Sequence, residues 1–91
     1  MTHEFVTALA PEDVLRRARE FFAHRVPATG AFLETASLRH VVLRGQGGEE
    51  VVVATAPHAG GTAVRGSTLF FDQQVKRFLS TLPPAETGGA S

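Results

Sequence analysis

The sequence predicts an α+β fold: a β-α-β-β-β-β-α two-layer sandwich, an antiparallel sheet with two helices on one face. Three observations predict it. A polar and apolar alternation opens the chain, two segments carry apolar residues at helical spacing, and a Val- and Thr-rich stretch cut by Gly and Pro lies between them. Ninety-one residues leave room for one domain. That domain is expected over residues 1–82, with residues 83–91 as a flexible C-terminal tail.

His3-Glu4-Phe5-Val6-Thr7-Ala8-Leu9 alternates as a half-buried strand does, with Phe5, Thr7 and Leu9 on one face. Pro11 suits the first position of a helix, where its missing N–H costs nothing, and Glu12 and Asp13 complement the positive end of the helix dipole. Val14, Leu15, Ala18, Phe21 and Phe22 form the apolar stripe of that helix, with Arg16, Arg17, Arg19 and Glu20 opposite. Pro27 ends it near His24 or Arg25.

From Ala31 to Gly66 the residues are strand formers. Strands are predicted at Ala31 to Ala36, Leu38 to Arg44, Glu49 to Ala56 and Thr62 to Gly66. Ser37 marks the first junction; Gly45-Gln46-Gly47-Gly48 and Pro57-His58-Ala59-Gly60-Gly61 read as hairpin loops. Ser67 or Thr68 is the expected cap of a second helix, whose apolar set is Phe71, Val75, Phe78, Leu79 and Leu82. Pro83-Pro84 stops it, and Ala85 to Ser91 carries too little apolar surface to order itself.

Two of these strands carry apolar side chains on both faces. Val51-Val52-Val53-Ala54 and His40-Val41-Val42-Leu43 have the pattern of strands covered on both sides, whereas two helices cover only one. The second face is therefore expected to meet a twin subunit, a ligand or a partner chain. The outward member of Val52 and Val53 would lie in that contact, and Val53 is counted among the candidate binding residues.

Nine basic and nine acidic side chains cancel, which disfavours the broad cationic field of a nucleic-acid or anionic-membrane binder. Without cysteine there is no disulfide, thiolate metal site or cysteine nucleophile. No apolar run approaches a membrane span, and Met1-Thr2-His3-Glu4 lacks the start of a signal peptide, so a cytoplasmic chain is expected. His3, His24, His40 and His58 show no metal-ligand spacing, and neither a metal nor a cofactor is expected. Ser37, Ser67 and Ser80 sit in no nucleophile context, and Glu34, Glu49, Glu50 and Asp72 form no acid–base pair, which argues against an enzyme. The Gly45-to-Gly48 run joins strands and opens no helix, so it is a turn and not a phosphate cradle.

The candidate contacts are accordingly polar groups on the apolar strands. His40 stands between Arg39 and Val41-Val42, and Arg39 and Arg65 carry planar forks suited to a carboxylate or phosphate. Phe70-Phe71 is similar to the wedges with which some sheets kink DNA, but helical spacing assigns Phe71 to the core.

The element order, the helix start Pro11-Glu12-Asp13-Val14, and the closing Gly66-Ser67-Thr68-Leu69 and Lys76-Arg77-Phe78-Leu79 resemble two families over residues 3–82. One is the half-repeat of TATA-binding-protein-like domains; the other is the helix-grip superfamily of START-like and polyketide-cyclase-like proteins. The first resemblance implies a saddle made by two repeats, so a single repeat would pair with itself. The second implies an apolar ligand cavity, which a chain this short would complete with a partner. Three expectations follow: a non-enzymatic homodimeric binding or assembly domain, a carrier or sensor of a small apolar ligand oriented by His40 and Arg65, or a DNA-binding domain of TATA-binding-like form.

Overall fold

The elements occur in the predicted order: β1 (Thr2–Thr7), α1 (Pro11–Glu20), β2 (Phe32–Ala36), β3 (His40–Arg44), β4 (Glu50–His58), β5 (Gly61–Thr68) and α2 (Asp72–Ser80). The computed structural model describes residues 1–25, 32–45, 47–69 and 71–85, without the side chains of His24, Arg25 and Phe32. The predicted helix stop at Pro27, Gln46, Phe70 and the tail from residue 86 lie outside the described residues.

The sheet runs β1-β5-β4-β3-β2, antiparallel at every junction. β1 pairs with the last strand in sequence, so α1 crosses the sheet from one edge towards the other. The chain is an α+β two-layer sandwich, with α1 over β3 and β4 and α2 over β1 and β5. The last turn of α1 widens into a π-helical turn, Phe21–Arg25, and both Phe21 and Phe22 are buried. Their rings meet Phe78 of α2 at centroid distances of 5.6 and 5.8 Å, joining the helices above the sheet. Val41, Leu43, Val51, Val53 and Val64 supply the sheet's half of the core. Each such side chain contributes about 1.5–3 kcal/mol by leaving water.

Two glycines allow the layers to approach. A Cβ on Gly66 would lie 2.6 Å from Val75 Cγ1, so the bare backbone of β5 receives α2 there. A Cβ on Gly61 would lie 1.9 Å from the Thr7 carbonyl oxygen, where β1 ends against β5. The buried hydroxyls of Thr7 and Thr62 fasten this corner. Thr7 Oγ1 donates to the Pro83 carbonyl at 2.6 Å, and Thr62 Oγ1 donates to the Leu9 carbonyl at 2.7 Å. The segment after α2 also runs beside β1: Ala8 N–H donates to Pro83 O, and Ala85 N–H to Val6 O, each at 3.0 Å.

Four expectations need correction. The resemblance to TATA-binding-like and helix-grip domains fails, because the sheet is flat and those folds require a curved one. β4 and β5 run through Pro57, His58 and Gly61 and leave only Ala59 and Gly60 as the turn. Pro57 is tolerated because it lies past the residues of β4 that pair with β3, where a missing N–H costs no ladder bond. Ser67 and Thr68 belong to β5, and α2 begins at Asp72 with no side-chain cap on its N-cap residue, Phe71; Thr68 Oγ1 instead accepts the Phe71 N–H at 3.2 Å. Val53 is fully buried beneath the helices, and the outward residue is Val52.

Candidate functional site on the uncovered sheet face

Alternation along each strand decides which side chains meet the helices. On β3 and β4, Val41, Leu43, Val51, Val53 and Thr55 are buried, and His40, Val42, Arg44, Val52 and Ala54 face the other way. No described element covers this second face. Val42, Val52, Ala54, Ala63 and Val6 are half-buried there by their neighbours in the sheet and form one apolar strip.

Strand register arranges the polar groups around that strip. His40 stands opposite Ala54, Ala54 opposite Arg65, and Arg65 opposite Glu4, so the four form one row across β3, β4, β5 and β1. Arg65 Nη2 donates to Glu4 Oε2 at 3.2 Å, with both side chains more than half exposed. Beside this row lies a hollow of about 400 Å³, bordered by Val6, Ala54, Ala56, Ala63, His58 and Arg65.

His40 is held by its own turn. Ser37 Oγ accepts the N–H groups of Arg39 and His40, each at 3.1 Å, and lies 2.7 Å from His40 Nδ1. With two N–H groups already directed at the oxygen, its remaining role is to donate to Nδ1. This assigns the ring proton to Nε2, which has no partner among the described residues.

Arg44 closes the opposite end of the strip. Its Nε and Nη2 grip Glu34 at 2.8 and 2.6 Å, Nη1 donates to the Gly48 carbonyl at 3.0 Å, and Nη2 reaches Glu50 at 3.3 Å. The Arg44 hydrogen bonds hold the Glu34 carboxyl below its ordinary value. Glu34 sits at the register shift between Leu33 and Thr35, so Arg44 pins the irregular edge strand to β3 and β4.

The predicted site residues therefore separate. His40 and Arg65 share a row, with Ala54 between them. Arg39 lines a different groove, about 480 Å³, together with Leu15, Arg19, Leu38, Val41 and Pro57 beside α1. Its carbonyl accepts both the N–H and the Oγ1 of Thr55, at 2.7 and 3.0 Å. Val53 belongs to the core. Glu4 and Ala54 became visible as site residues only with strand parity and register, which also singled out Val52 as the outward member of the Val52 and Val53 pair, while Ser37 had a local signal in its Ser-x-x-His spacing across a tight turn.

His3, His40 and His58 hydrogen-bond to Asp72, Ser37 and the Ala59 carbonyl respectively. Among the described residues no three His, Cys, Asp or Glu side chains group as metal ligands, and no helix is long and apolar enough to cross a membrane. No family model, curated protein or solved structure matches the chain.

Proposed function

We propose that the chain is a non-enzymatic homodimeric assembly domain that acts by burying its uncovered sheet face against a second copy. The observation that carries this reading is the continuous strip Val42, Val52, Ala54, Ala63 and Val6 on a face that no described element of the chain covers. The Arg44 cluster borders it as a polar rim borders an interface core. Five strands about 4.8 Å apart, with about six residues each at 3.3 Å, give a face of roughly 24 by 20 Å. Two such faces bury on the order of 1,000 Å², the lower end for a specific interface.

Sedimentation of the unmodified chain and of Val52→Asp at micromolar concentration tests the reading. A dimer that Val52→Asp dissociates is expected, since the new carboxylate would be buried without a partner. A monomer at every concentration would overturn it.

A second reading has a specific observation behind it. His40 Nε2 and the Arg65 guanidinium flank Ala54 beside this hollow, an arrangement suited to the acidic end of a small apolar ligand. A monomer that retains such a molecule through purification would favour this carrier role.

A further inference from the structure

We infer that the dimer forms about a two-fold axis parallel to the strands, passing between β4 and β5, so that each His40 faces the partner's Glu4 and each Arg65 lies over the partner's Ala54. This register rests on the proposed homodimer and goes beyond it.

A two-fold axis in that position reverses the strand order across the interface while keeping each residue row in place, so β1, β5, β4 and β3 of each copy overlap, β2 lies outside the contact, and the buried area is about four-fifths of the full-face figure. The row His40, Ala54, Arg65, Glu4 then meets itself read backwards. Each member meets a group of complementary chemistry or size. His40 Nε2, assigned as an unpartnered N–H donor by the Ser37 hydrogen bonds, is directed at a carboxylate. Arg65, the longest side chain in the row, meets Ala54, the shortest, and enters the hollow of about 400 Å³. Packed sheets lie about 10 Å apart, a gap that histidine and glutamate share from opposite sides and that arginine fills opposite alanine.

The neighbouring rows fit the same operation. Val42, Val52, Ser67 and Thr2 form the next row, which places Val52 against the partner's Ser67 and Val42 against the partner's Thr2. Ala56 and Ala63 exchange places in the row on the other side of the His40–Glu4 row. The two Arg65 guanidinium groups come side by side near the axis, and each already carries the Glu4 carboxylate of its own chain at 3.2 Å. An axis perpendicular to the strands would instead reflect the rows end to end and bring the Arg44 cluster towards the His58 end of the face.

Charge exchange between two versions of the full chain tests this register. His40→Glu alone would set a new carboxylate against the partner's Glu4 twice per dimer, and Glu4→Lys alone would set an ammonium against the partner's His40 twice. Each is expected to weaken self-association at least about tenfold, through juxtaposed like charges in the first and opposed donors without an acceptor in the second. In an equimolar mixture with one version fluorescently labelled, the new glutamate faces the new lysine, and heterodimer is expected within about threefold of the unmodified affinity. Circular dichroism of each version separates loss of dimer from loss of fold. Folded variants without recovery in the mixture, or variants that dimerise as the unmodified chain does, would overturn the register. Val52→Asp keeps the two ideas apart: dissociation by Val52→Asp with no charge-exchange recovery leaves the dimer face standing and removes only the axis. A monomeric unmodified chain removes both.

Discussion

Gly61 shows how little space the junction of β1 and β5 leaves. A methyl group there would overlap the Thr7 carbonyl oxygen at 1.9 Å, and the obstacle is backbone, which cannot rotate aside as a side chain does. Thr7 cannot retreat either. Its hydroxyl donates to Pro83, its backbone pairs opposite Thr62, and Thr62 in turn holds Leu9. Gly61→Ala is therefore expected to cost about 1–3 kcal/mol, the range for overpacking, and to loosen the start of β5. Denaturant midpoints measure the cost, and amide exchange at Thr62 and Ala63 locates it. An unchanged midpoint would mean that the two strands do not approach this closely.

At the scale of elements, α2 is tied to β1 by a hydrogen bond between His3 Nε2 and Asp72 Oδ1, 2.8 Å long, with the histidine side chain 18% exposed. That bond holds the Asp72 carboxyl below its ordinary value. The folded state thus binds this proton less readily than the unfolded chain does. Its stabilisation is complete above the ordinary aspartate range and is lost as pH falls through the lowered value. Asp72→Asn is expected to lower Tm at neutral pH, with the difference from the unmodified chain shrinking to nothing in acid. Thermal melts across the acid range check this, and a difference that stays constant with pH would show that the bond does not couple to protonation. The pairing of Asp72 with His3 was not legible in the sequence, because a partner 69 positions away is set by the pairing of β1 with β5. The same distinction explains the other elements. Both helices followed from local periodicity, since Val75, Phe78 and Leu79 are buried as their spacing requires. The β4–β5 hairpin turn is shorter than its Gly and Pro content suggested, because Pro57 and Gly61 occupy strand positions where a missing N–H or Cβ is tolerated or required. Strand parity could not be read from Val51-Val52-Val53, where three equal side chains carry no alternation, and that ambiguity put Val53 on the wrong face.

On the scale of the whole molecule, the sheet has two faces and the described chain has helices for only one. The core is complete without a partner, with Phe22, Phe78, Val53 and Val75 fully or almost fully buried, so the domain is expected to fold as a monomer and associate afterwards. Association that stabilises a folded chain makes its melting temperature depend on concentration. For a dimer that unfolds to two chains, each tenfold rise in concentration adds about 1.4 kcal/mol per dimer, or roughly 0.7 kcal/mol per chain. In a domain of this size that corresponds to about 3–5 °C. The rise should appear only above the dissociation constant, because below it the melting species is a monomer with a fixed Tm. Val52→Asp should remove the slope at all concentrations while leaving the low-concentration Tm close to that of the unmodified chain, since Val52 is only half-buried and stands outside the core cluster beneath the helices. Val53→Asp provides the contrast. It would place a carboxylate at a position with 0% exposure, and it is expected to abolish folding at every concentration. A flat concentration profile for the unmodified chain would take the twin subunit away and leave the strip to a ligand, whereas a sloped profile that Val52→Asp does not flatten would place the dimer contact elsewhere on the molecule.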